Sequence, residues 1–273
     1  MNDSSIAFIG GGNMARSLIG GLVARGTPPS SIRVAEPVAP LREALQADFG
    51  VVTTHDGVEA VAGTNVWVLA VKPQVLRTVC ESLAEAAQAA RPLVVSIAAG
   101  ITGAQIERWL GGNVAVVRCM PNTPALLGAG VTGLHANTHA DAAGRDIAET
   151  LLSAAGATVW IDEEAQMDAV TAVSGSGPAY VFLLAEALQA AALAEGLPAD
   201  AARTLVLQTV LGAARMLIEG EVDAAELRRR VTSPNGTTQA AIEAFEAGDF
   251  SGLVARAVHA ATVRGRELSA AND

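Results

Sequence analysis

The sequence predicts an α/β fold in which a doubly wound sheet is followed by an all-α domain. Over residues 1–163, short apolar runs rich in Val and Ile alternate with helical patterns. A glycine-rich turn follows the first of these runs directly, at 10–12. After residue 163 the strand pattern stops and Ala-rich helical patterns remain. We therefore divide the chain into a sheet domain at 1–163 and a helical domain at 164–273.

The strands of the first domain are predicted from apolar runs bounded by Gly, Pro or polar residues. The strong runs are IAFIG (6–10), IRVAE (32–36), VWVLAV (66–71), LVVSIAAG (93–100) and VAVVRC (114–119), and two weaker ones lie near 131–134 and 158–161. Helical patterns separate them at 13–25, 40–49, 75–90, 104–110 and 142–155. Because continuous apolar strands alternate with helices, we expect a parallel sheet covered on both faces.

The helical domain is predicted from helical patterns separated by turn residues. The helices are expected at 164–173, 179–195, 199–219, 223–230, 239–247 and 253–270. The turn SGSGP, at 174–178, is typical of an N-cap followed by a first helical turn that contains Pro178. Its glycines also fit a close approach of another backbone, or the support of a pocket.

Composition restricts the classes of function. The net charge of −10 and the pI near 4.9 argue against nucleic acid and anionic membranes as partners. Two cysteines, Cys80 and Cys119, give no disulfide framework, and the scattered histidines predict no metal site. The apolar segment 179–196 contains Glu186 and Gln189, which favours a buried helix over a membrane span. With no signal-peptide pattern at the N-terminus, we expect a soluble cytoplasmic protein.

The first strand and the turn after it carry the strongest local motif, IAFIGGGNMA. Gly10 permits a tight turn, Gly12 lets a pyrophosphate approach the backbone, and Ala15 allows close contact between helix and strand. The helix that follows would offer free amides and a favourable dipole to the phosphates. We interpret the motif as a Rossmann-type dinucleotide site; a glycine-rich connection with no ligand is the alternative.

Two charged residues at the ends of later strands fit the same site. Glu36 ends the second strand, where a carboxylate bonds the adenosine ribose and repels a 2′-phosphate, so it favours NADH. The alternative is an exposed glutamate that opens a turn before Pro37. Lys72, in the sequence LAVKPQ, is the only lysine of the chain and fits a compact cation near cofactor or substrate. It fits a chance loop residue equally well.

Polar segments elsewhere are further candidates. Asn122 and Thr123, in CMPNTPALLGAG, follow a strand and are expected to line the same crevice. The segment VTSPNGTTQAA, at 231–241, places hydroxyls and free amides at the start of a helix. Such a helix start suits a substrate carboxylate.

Five motifs together resemble the pyrroline-5-carboxylate reductase family. They are FIGGGNMA, AVKPQ, RCMPNTP, DAVTAVSGSGPAY and RRRVTSPNGTTQAAI, in the order and spacing of that family over essentially the whole chain. The resemblance implies a Rossmann domain and a helical domain for dimerisation and substrate binding. It also implies a homodimer or a higher homo-oligomer such as a decamer, with no nucleic acid and no membrane as partner.

The resemblance implies the following site residues. Cofactor contacts fall on Gly10, Gly11, Gly12, Asn13, Met14, Glu36, Asp56, Ala70, Val71, Lys72, Pro73, Ala98, Ala99 and Gly100. Substrate contacts fall on Glu221, Ser233, Gly236, Thr237 and Thr238, with Thr238 as the catalytic residue. The family implies NADPH, but some members have Ser and Asn where this chain has Glu36 and Asp56. Two carboxylates there favour NADH instead.

The expected reaction is hydride transfer from NAD(P)H to the C=N carbon of 1-pyrroline-5-carboxylate, which yields L-proline. A protonated cyclic imine is already electrophilic, so orientation and electrostatics suffice without a His/Asp pair. One alternative is a β-hydroxyacid dehydrogenase, although SGSGPAYVFLLAEAL lacks the lysine such enzymes use. The other alternative is a non-catalytic dinucleotide sensor, which the hydroxyl-rich segment at 231–238 disfavours.

Overall fold

The computed structural model describes residues 5–271. Its strands form one eight-stranded sheet with the order β3-β2-β1-β4-β5-β6-β7-β8. The strands are β1 (Ile6–Ile9), β2 (Ile32–Ala35), β3 (Val52–Thr54), β4 (Val66–Leu69), β5 (Leu93–Ser96), β6 (Ala115–Met120), β7 (Gly130–Ala136) and β8 (Gly156–Trp160).

The first six strands are parallel and form a doubly wound, Rossmann-type sheet. Strand order reverses between β1 and β4. These two strands pair with each other in parallel, with Ile6 opposite Val66. Ligands of such sheets bind outside the carboxyl ends of the strands at this reversal. The predicted fold class is therefore confirmed.

The last part of the sheet departs from the expected all-parallel arrangement. β7 runs antiparallel to β6, and β8 then runs parallel to β7. The reason is the connection between β6 and β7, which contains one short 3-10 turn at Thr123–Leu127 and no crossover helix. A parallel neighbour requires a crossover of a dozen or more residues.

The helices agree with the predicted positions to within a few residues, except for one that was not predicted. They are α1 (Asn13–Ala24), α2 (Ala39–Phe49), α3 (Gly57–Val61), α4 (Pro73–Ala90), α5 (Gly103–Trp109), α6 (Ala142–Ser153), α7 (Met167–Val170), α8 (Gly177–Ala194), α9 (Ala199–Glu219), α10 (Ala224–Arg230), α11 (Thr237–Ala247) and α12 (Phe250–Ala271). The unpredicted elements are β3 and α3, which contain three and five residues.

Two clusters of buried apolar residues, one on each face of the sheet, pack between the sheet and its helices. Along β1, Ile6 and Phe8 belong to one cluster, whereas Ala7 and Ile9 belong to the other. All four are buried because successive strand residues point to opposite faces and each face is covered. This double coverage explains the uninterrupted apolar runs in the sequence.

The SGSGP segment does not begin a new helix, contrary to the expected N-cap. One π-helical turn, Thr171–Gly175, connects α7 to α8, and the Ser176 amide donates to the Thr171 carbonyl. Pro178 has no N–H for the carbonyl of Ser174, four residues earlier. The Asn122 side-chain amide donates to that carbonyl instead, at 3.1 Å. A tertiary contact therefore satisfies the helix where proline interrupts it.

By contacts between Cα atoms, the chain forms two compact units. One comprises the sheet together with the segments up to Ser176 and from Ala260 onward. The other comprises Gly177–His259. Residues 164–176 and the last turns of α12, which the sequence groups with the helical domain, thus pack with the sheet.

The helical unit exposes much of its apolar surface in the single chain. In α8 only Ala185 is buried, whereas Phe182 and Leu183 are 65% and 66% exposed. The continuous helical segment Glu164–Ala194 and helix α9 are long and apolar enough to cross a membrane by length and composition. The sequence predicted a buried helix at 179–196, and within one chain this prediction is wrong, because no second layer formed by residues 5–271 covers its apolar face.

Candidate functional site

The glycine-rich loop after β1 lies at the reversal of strand order. Gly10 has a φ of 103°, a conformation that favours glycine, and its N–H donates to the Ala35 carbonyl at 2.8 Å. A Cβ at Gly10 would lie 2.7 Å from the carbonyl oxygen of Ala70, which follows β4. The loop therefore begins at the end of β1, between the carboxyl ends of β2 and β4.

The start of α1 fits a pyrophosphate. Gly12 is the N-cap residue, and no side chain within residues 5–271 caps this helix. A Cβ at Gly12 would meet nothing within 4 Å, so open space faces the first amides of the helix. Asn13 and Met14 provide the next amides of that turn. Free amides, the helix dipole and open space together make an anion site.

Glu36 turns its carboxylate towards the glycine-rich loop. One carboxylate oxygen accepts the N–H of Gly11 and the other accepts the N–H of Val38, both at 2.9 Å. The side chain is 7% exposed, and Arg42 donates to the Glu36 main-chain carbonyl at 2.6 Å. Each oxygen keeps a second lone pair that could accept a ribose hydroxyl. The geometry fixes a negative charge beside the loop that would hold the cofactor.

Asp56 lies after β3, at the same edge of the sheet. Its carboxylate accepts the N–H of Val58 at 2.7 Å and caps α3. The sequence did not predict this helix, so the capping role of Asp56 was missed. The aspartate nevertheless remains exposed, and its charge adds to that of Glu36 at the end of the sheet that includes β2 and β3.

The segments after β4 and β5 complete this edge. Ala70 and Val71 lead into α4, whose N-cap residue is Lys72 and whose first residue is Pro73. Lys72 is exposed. After β5, Ala98 is buried, Ala99 is exposed, and Gly100 has a φ of 69°. The structure thus gathers all the predicted cofactor residues at the carboxyl edge of β1 to β5.

The predicted substrate segment lies in the helical unit, between α10 and α11. Asn235 has a φ of 58° and its N–H donates to the Gln239 side chain at 2.8 Å. Gly236 is the N-cap residue of α11, and its N–H donates to the Ser233 carbonyl at 3.0 Å. A Cβ at Gly236 would overlap the Ser233 hydroxyl. The segment is thus a compact turn in which Gly236 packs closely against Ser233, with Thr237 and Thr238 in the first helical turn.

The basic run before this turn is partly neutralised. Arg229 and Arg230 both bond the carboxylate of Glu226 at 2.7 Å, and these bonds hold its pKa below the usual range. The remaining predicted substrate residue, Glu221, lies between α9 and α10 and lines a groove with Arg215 and Leu227. It therefore belongs to a different loop from Ser233.

The two polar candidates of the β6–β7 connection have different surroundings. Asn122 is 9% exposed, and besides Ser174 its side chain bonds the Val131 N–H at 3.0 Å. Its amide therefore joins the β6–β7 connection to the π-helical turn, which corrects the expectation that it lines the crevice. Thr123 begins the 3-10 turn and is exposed.

Sequence reasoning missed a buried charged cluster beside the β5 loop. Arg118, on β6, is 5% exposed and pairs with Glu164 at 3.3 Å and with Asp168 at 3.5 Å. The available signal was an arginine inside the apolar strand VAVVRC. Buried arginines are rare unless paired with carboxylates.

Comparisons with known proteins bear on both units. A family model described as pyrroline-5-carboxylate reductase dimerisation matches residues 164–268. A model described as NADP oxidoreductase, coenzyme F420-dependent, matches residues 5–100. A pyrroline-5-carboxylate reductase of Pseudomonas aeruginosa is 54% identical over 269 residues, or 98% of each chain.

Solved structures of pyrroline-5-carboxylate reductases also resemble this chain over nearly its whole length. The pyrroline-5-carboxylate reductase of Coxiella burnetii is 45% identical, with a TM-score of 0.94 over 97% of this chain and 98% of that one. The pyrroline carboxylate reductase of Plasmodium falciparum, solved with NADP bound, is 26% identical, with a TM-score of 0.86 over 98% of this chain and 99% of that one. Such identity over nearly the whole length leaves one assignment: the chain belongs to the pyrroline-5-carboxylate reductase family.

Proposed function

We propose that the protein reduces 1-pyrroline-5-carboxylate to L-proline, the last step of proline biosynthesis. The observation that carries this proposal is the 54% identity to a pyrroline-5-carboxylate reductase along 98% of both chains. The open helix start at the cofactor edge of the sheet and the compact turn before α11 support it, because each offers backbone amides to an anionic group.

The sheet domain is proposed to hold the dinucleotide. The start of α1 receives the pyrophosphate, and Glu36 lies beside the adenosine ribose. When bound, the nicotinamide supplies the hydride. NADPH and NADH differ by a 2′-phosphate, which the fixed carboxylate of Glu36 repels, so we propose that Glu36 and Asp56 shift the preference towards NADH.

The turn before α11 is proposed to hold the substrate. The amides of Thr237 and Thr238 lie in the first turn of a helix that no side chain caps within the described residues, so they suit a carboxylate. The Thr238 hydroxyl is proposed to bond the ring nitrogen and to orient the imine carbon. The nitrogen carries the proton, the carbon receives the hydride, and the C=N double bond becomes a single bond. Thr238 is therefore a catalytic residue by orientation, with no proton to transfer.

A homodimer is the proposed partner arrangement. The exposed apolar faces of α8 and α9 lie within the segment matched by the dimerisation model. A second copy of this chain would remove these faces from water, which gives them an occupant other than a membrane. A larger ring of dimers, such as a decamer, would use further surfaces. Two buried free thiols, Cys80 and Cys119, fit the reducing cytoplasm that we propose as the location.

The two alternatives make different predictions. A 3-hydroxyisobutyrate dehydrogenase of Mycobacterium tuberculosis has a TM-score of 0.51 at 20% identity, which shows a shared fold alone. A hydroxyacid dehydrogenase would oxidise a 3-hydroxyacid with NAD(P)⁺, and a sensor would bind the dinucleotide without turnover.

One set of assays with purified protein separates these possibilities. We expect oxidation of NADH or NADPH with 1-pyrroline-5-carboxylate and no reaction with 3-hydroxyacids. Turnover of a 3-hydroxyacid alone would assign the protein to the dehydrogenases. Tight dinucleotide binding without turnover of either substrate would make it a sensor.

A further inference from the structure

The last turns of α12 lie directly against the loop that follows β5. At Gly100, whose φ is 69°, a Cβ would lie 3.4 Å from the Cβ of Leu268 and 3.8 Å from the backbone of Ser269. These residues are more than 160 positions apart in the sequence, yet they pack within the same compact unit. The C-terminal helix therefore supports a loop of the predicted cofactor edge.

Gln105 joins this loop to α12 through both ends of its side-chain amide. Its oxygen accepts the N–H and the hydroxyl of Thr102, at 2.7 and 3.1 Å, and completes a capping box at the start of α5. Its nitrogen donates to the main-chain carbonyl of Ser269 at 3.2 Å. The residue is 3% exposed, so these bonds are made away from water. Loss of this amide would leave buried backbone groups without partners.

The other side of the contact is fixed by buried charges. The Ser269 hydroxyl donates to Asp168 at 3.5 Å, and a Cβ at Gly265 would lie 3.3 Å from the same carboxylate. Asp168 pairs with Arg118, which stands opposite Ser96 in the register of β5 and β6. Glu164 accepts the Gly103 N–H at 2.6 Å. The loop after β5 thus contacts a network of charged side chains centred on Arg118 of β6.

The position of this loop connects the network to the cofactor. In a doubly wound sheet, one mononucleotide occupies each half. The glycine-rich loop and Glu36 place the adenosine half over β1 to β3, so the nicotinamide half falls over β4 to β6. This step rests on the proposed function. The loop at 97–102 then lies beside the nicotinamide and not beside the adenosine.

We propose that Gln105, together with Leu268 and Ser269 of α12, positions the nicotinamide half of the cofactor by holding the loop after β5. Gln105 is a positioning residue, since it acts through the backbone of Thr102 and does not touch the cofactor. The C-terminal helix is thereby part of the cofactor site.

The test compares binding of the whole cofactor with binding of its adenosine half. In Gln105→Met, which keeps the length and apolar shape of the side chain, we expect the Kd for NADH to rise about tenfold, the effect of one or two neutral hydrogen bonds. The Kd for ADP-ribose, which lacks the nicotinamide, should stay within about twofold of the wild type. Calorimetric titration without substrate measures both values.

Gln88→Met is the matched control. The Gln88 amide donates to the carbonyls of Leu110 and Gly112, at 2.8 and 2.9 Å, beyond the opposite end of α5. This variant loses comparable hydrogen bonds away from the β5 loop and should bind both ligands as the wild type does. Equal weakening of NADH and ADP-ribose in Gln105→Met, or no weakening of either, overturns the proposal. A Gln88→Met variant with the same selective loss also overturns it.

Leu268→Gly provides a second variant if Gln105→Met does not fold. Leu268 is 43% exposed, so its replacement leaves the core intact while it removes the Cβ that lies beside Gly100. The same selective loss of NADH affinity is expected, and unchanged NADH binding contradicts the proposal. Because these titrations contain no pyrroline-5-carboxylate, an error in the proposed substrate would leave their outcome unchanged.

Discussion

The backbone N–H of Gly11 donates to the carboxylate of Glu36 at 2.9 Å, which joins the glycine-rich loop to the end of β2. A Cβ at Gly11 would lie 3.2 Å from the Cβ of Glu36, so the two residues are also in close packing contact. The glutamate therefore has two consequences: it shapes the glycine-rich loop and it places a carboxylate directly beside that loop.

Replacement of this charge should change the cofactor preference. In Glu36→Ser we expect the ratio of kcat/KM for NADPH to that for NADH to rise about tenfold, because a carboxylate close to a 2′-phosphate costs ~1 kcal/mol or more. Steady-state kinetics with both cofactors give the ratio. Glu43→Ser, on the exposed part of α2, changes the net charge equally and should leave the ratio unchanged. A ratio that is the same in Glu36→Ser and wild type would mean that the carboxylate lies away from the ribose.

Loss of the Thr238 hydroxyl should impair catalysis without loss of cofactor binding. A bond to a charged ring nitrogen contributes roughly 1.5–3 kcal/mol, so Thr238→Ala should lower kcat/KM for pyrroline-5-carboxylate about tenfold to a hundredfold. Dinucleotide affinity, measured by titration, should remain that of the wild type. Wild-type kinetics in this variant would reduce the segment 231–238 to a connection between helices.

The glycine at the start of α11 offers a second test of the same turn. In Gly236→Ala the new methyl group meets the Ser233 hydroxyl, and the Ser233 carbonyl lies 3.1 Å away, so the turn must shift. We expect at least about a tenfold rise in KM for pyrroline-5-carboxylate. Gly248→Ala, at the other end of α11, introduces only ordinary contacts at 3.5 and 3.6 Å and serves as the control. Equal kinetics in the two variants would exclude a role for the turn in substrate binding.

A charge on the apolar face of α8 should disrupt the dimer. Phe182 is 65% exposed in the single chain, and burial of a glutamate at an apolar interface costs several kcal/mol. Phe182→Glu should therefore sediment as a monomer at micromolar concentration, where the wild type sediments as a dimer or larger. Val58→Glu places the same charge on exposed α3 of the sheet domain and should not change the sedimentation. A dimeric Phe182→Glu variant would place the interface elsewhere.

Both thiols should be unreactive in the folded protein. Burial, with a smaller contribution from the nearby Glu81 carboxylate, raises the pKa of Cys80 to about 12, and burial also raises the pKa of Cys119. The thiolate is the reactive form, so a chromogenic thiol reagent at neutral pH should react slowly until denaturant is added. It should then titrate both cysteines of the chain. A fast-reacting thiol in the native protein would contradict the burial of these residues.

Most of the fold could be predicted because its signals are local. The apolar run of β1 and the glycines at 10 and 12 identify the nucleotide edge without tertiary information. The bounds of α9 coincide with the predicted helix at 199–219. In contrast, β3 has only three residues, two of them threonine, and no apolar run marks it. The direction of β7 follows from a short connection that the sequence alone did not distinguish from a crossover.

What the sequence did not predict depends on contacts between distant residues. The π-helical turn is continuous with α8 because Asn122 donates to the carbonyl that Pro178 leaves open, and local turn chemistry contains no information on that partner. Likewise, the sequence does not distinguish Gln105 from an ordinary polar residue of a helix. Its bond to the Ser269 carbonyl exists only in the folded chain. The turn at 231–238 was predicted as a turn because its Pro, Asn and Gly are local signals, and its role in substrate binding stays a proposal.

The central claim is the reduction of a cyclic imine to proline, and the most direct measurement is the yield of proline per cofactor oxidised. Purified wild-type protein is mixed with pyrroline-5-carboxylate and either NADH or NADPH, and loss of the reduced nicotinamide and formation of L-proline are followed together. The account predicts equal amounts of oxidised cofactor and L-proline, with turnover on NADH at least comparable to that on NADPH. Oxidation without proline, or no oxidation with either cofactor, would contradict it.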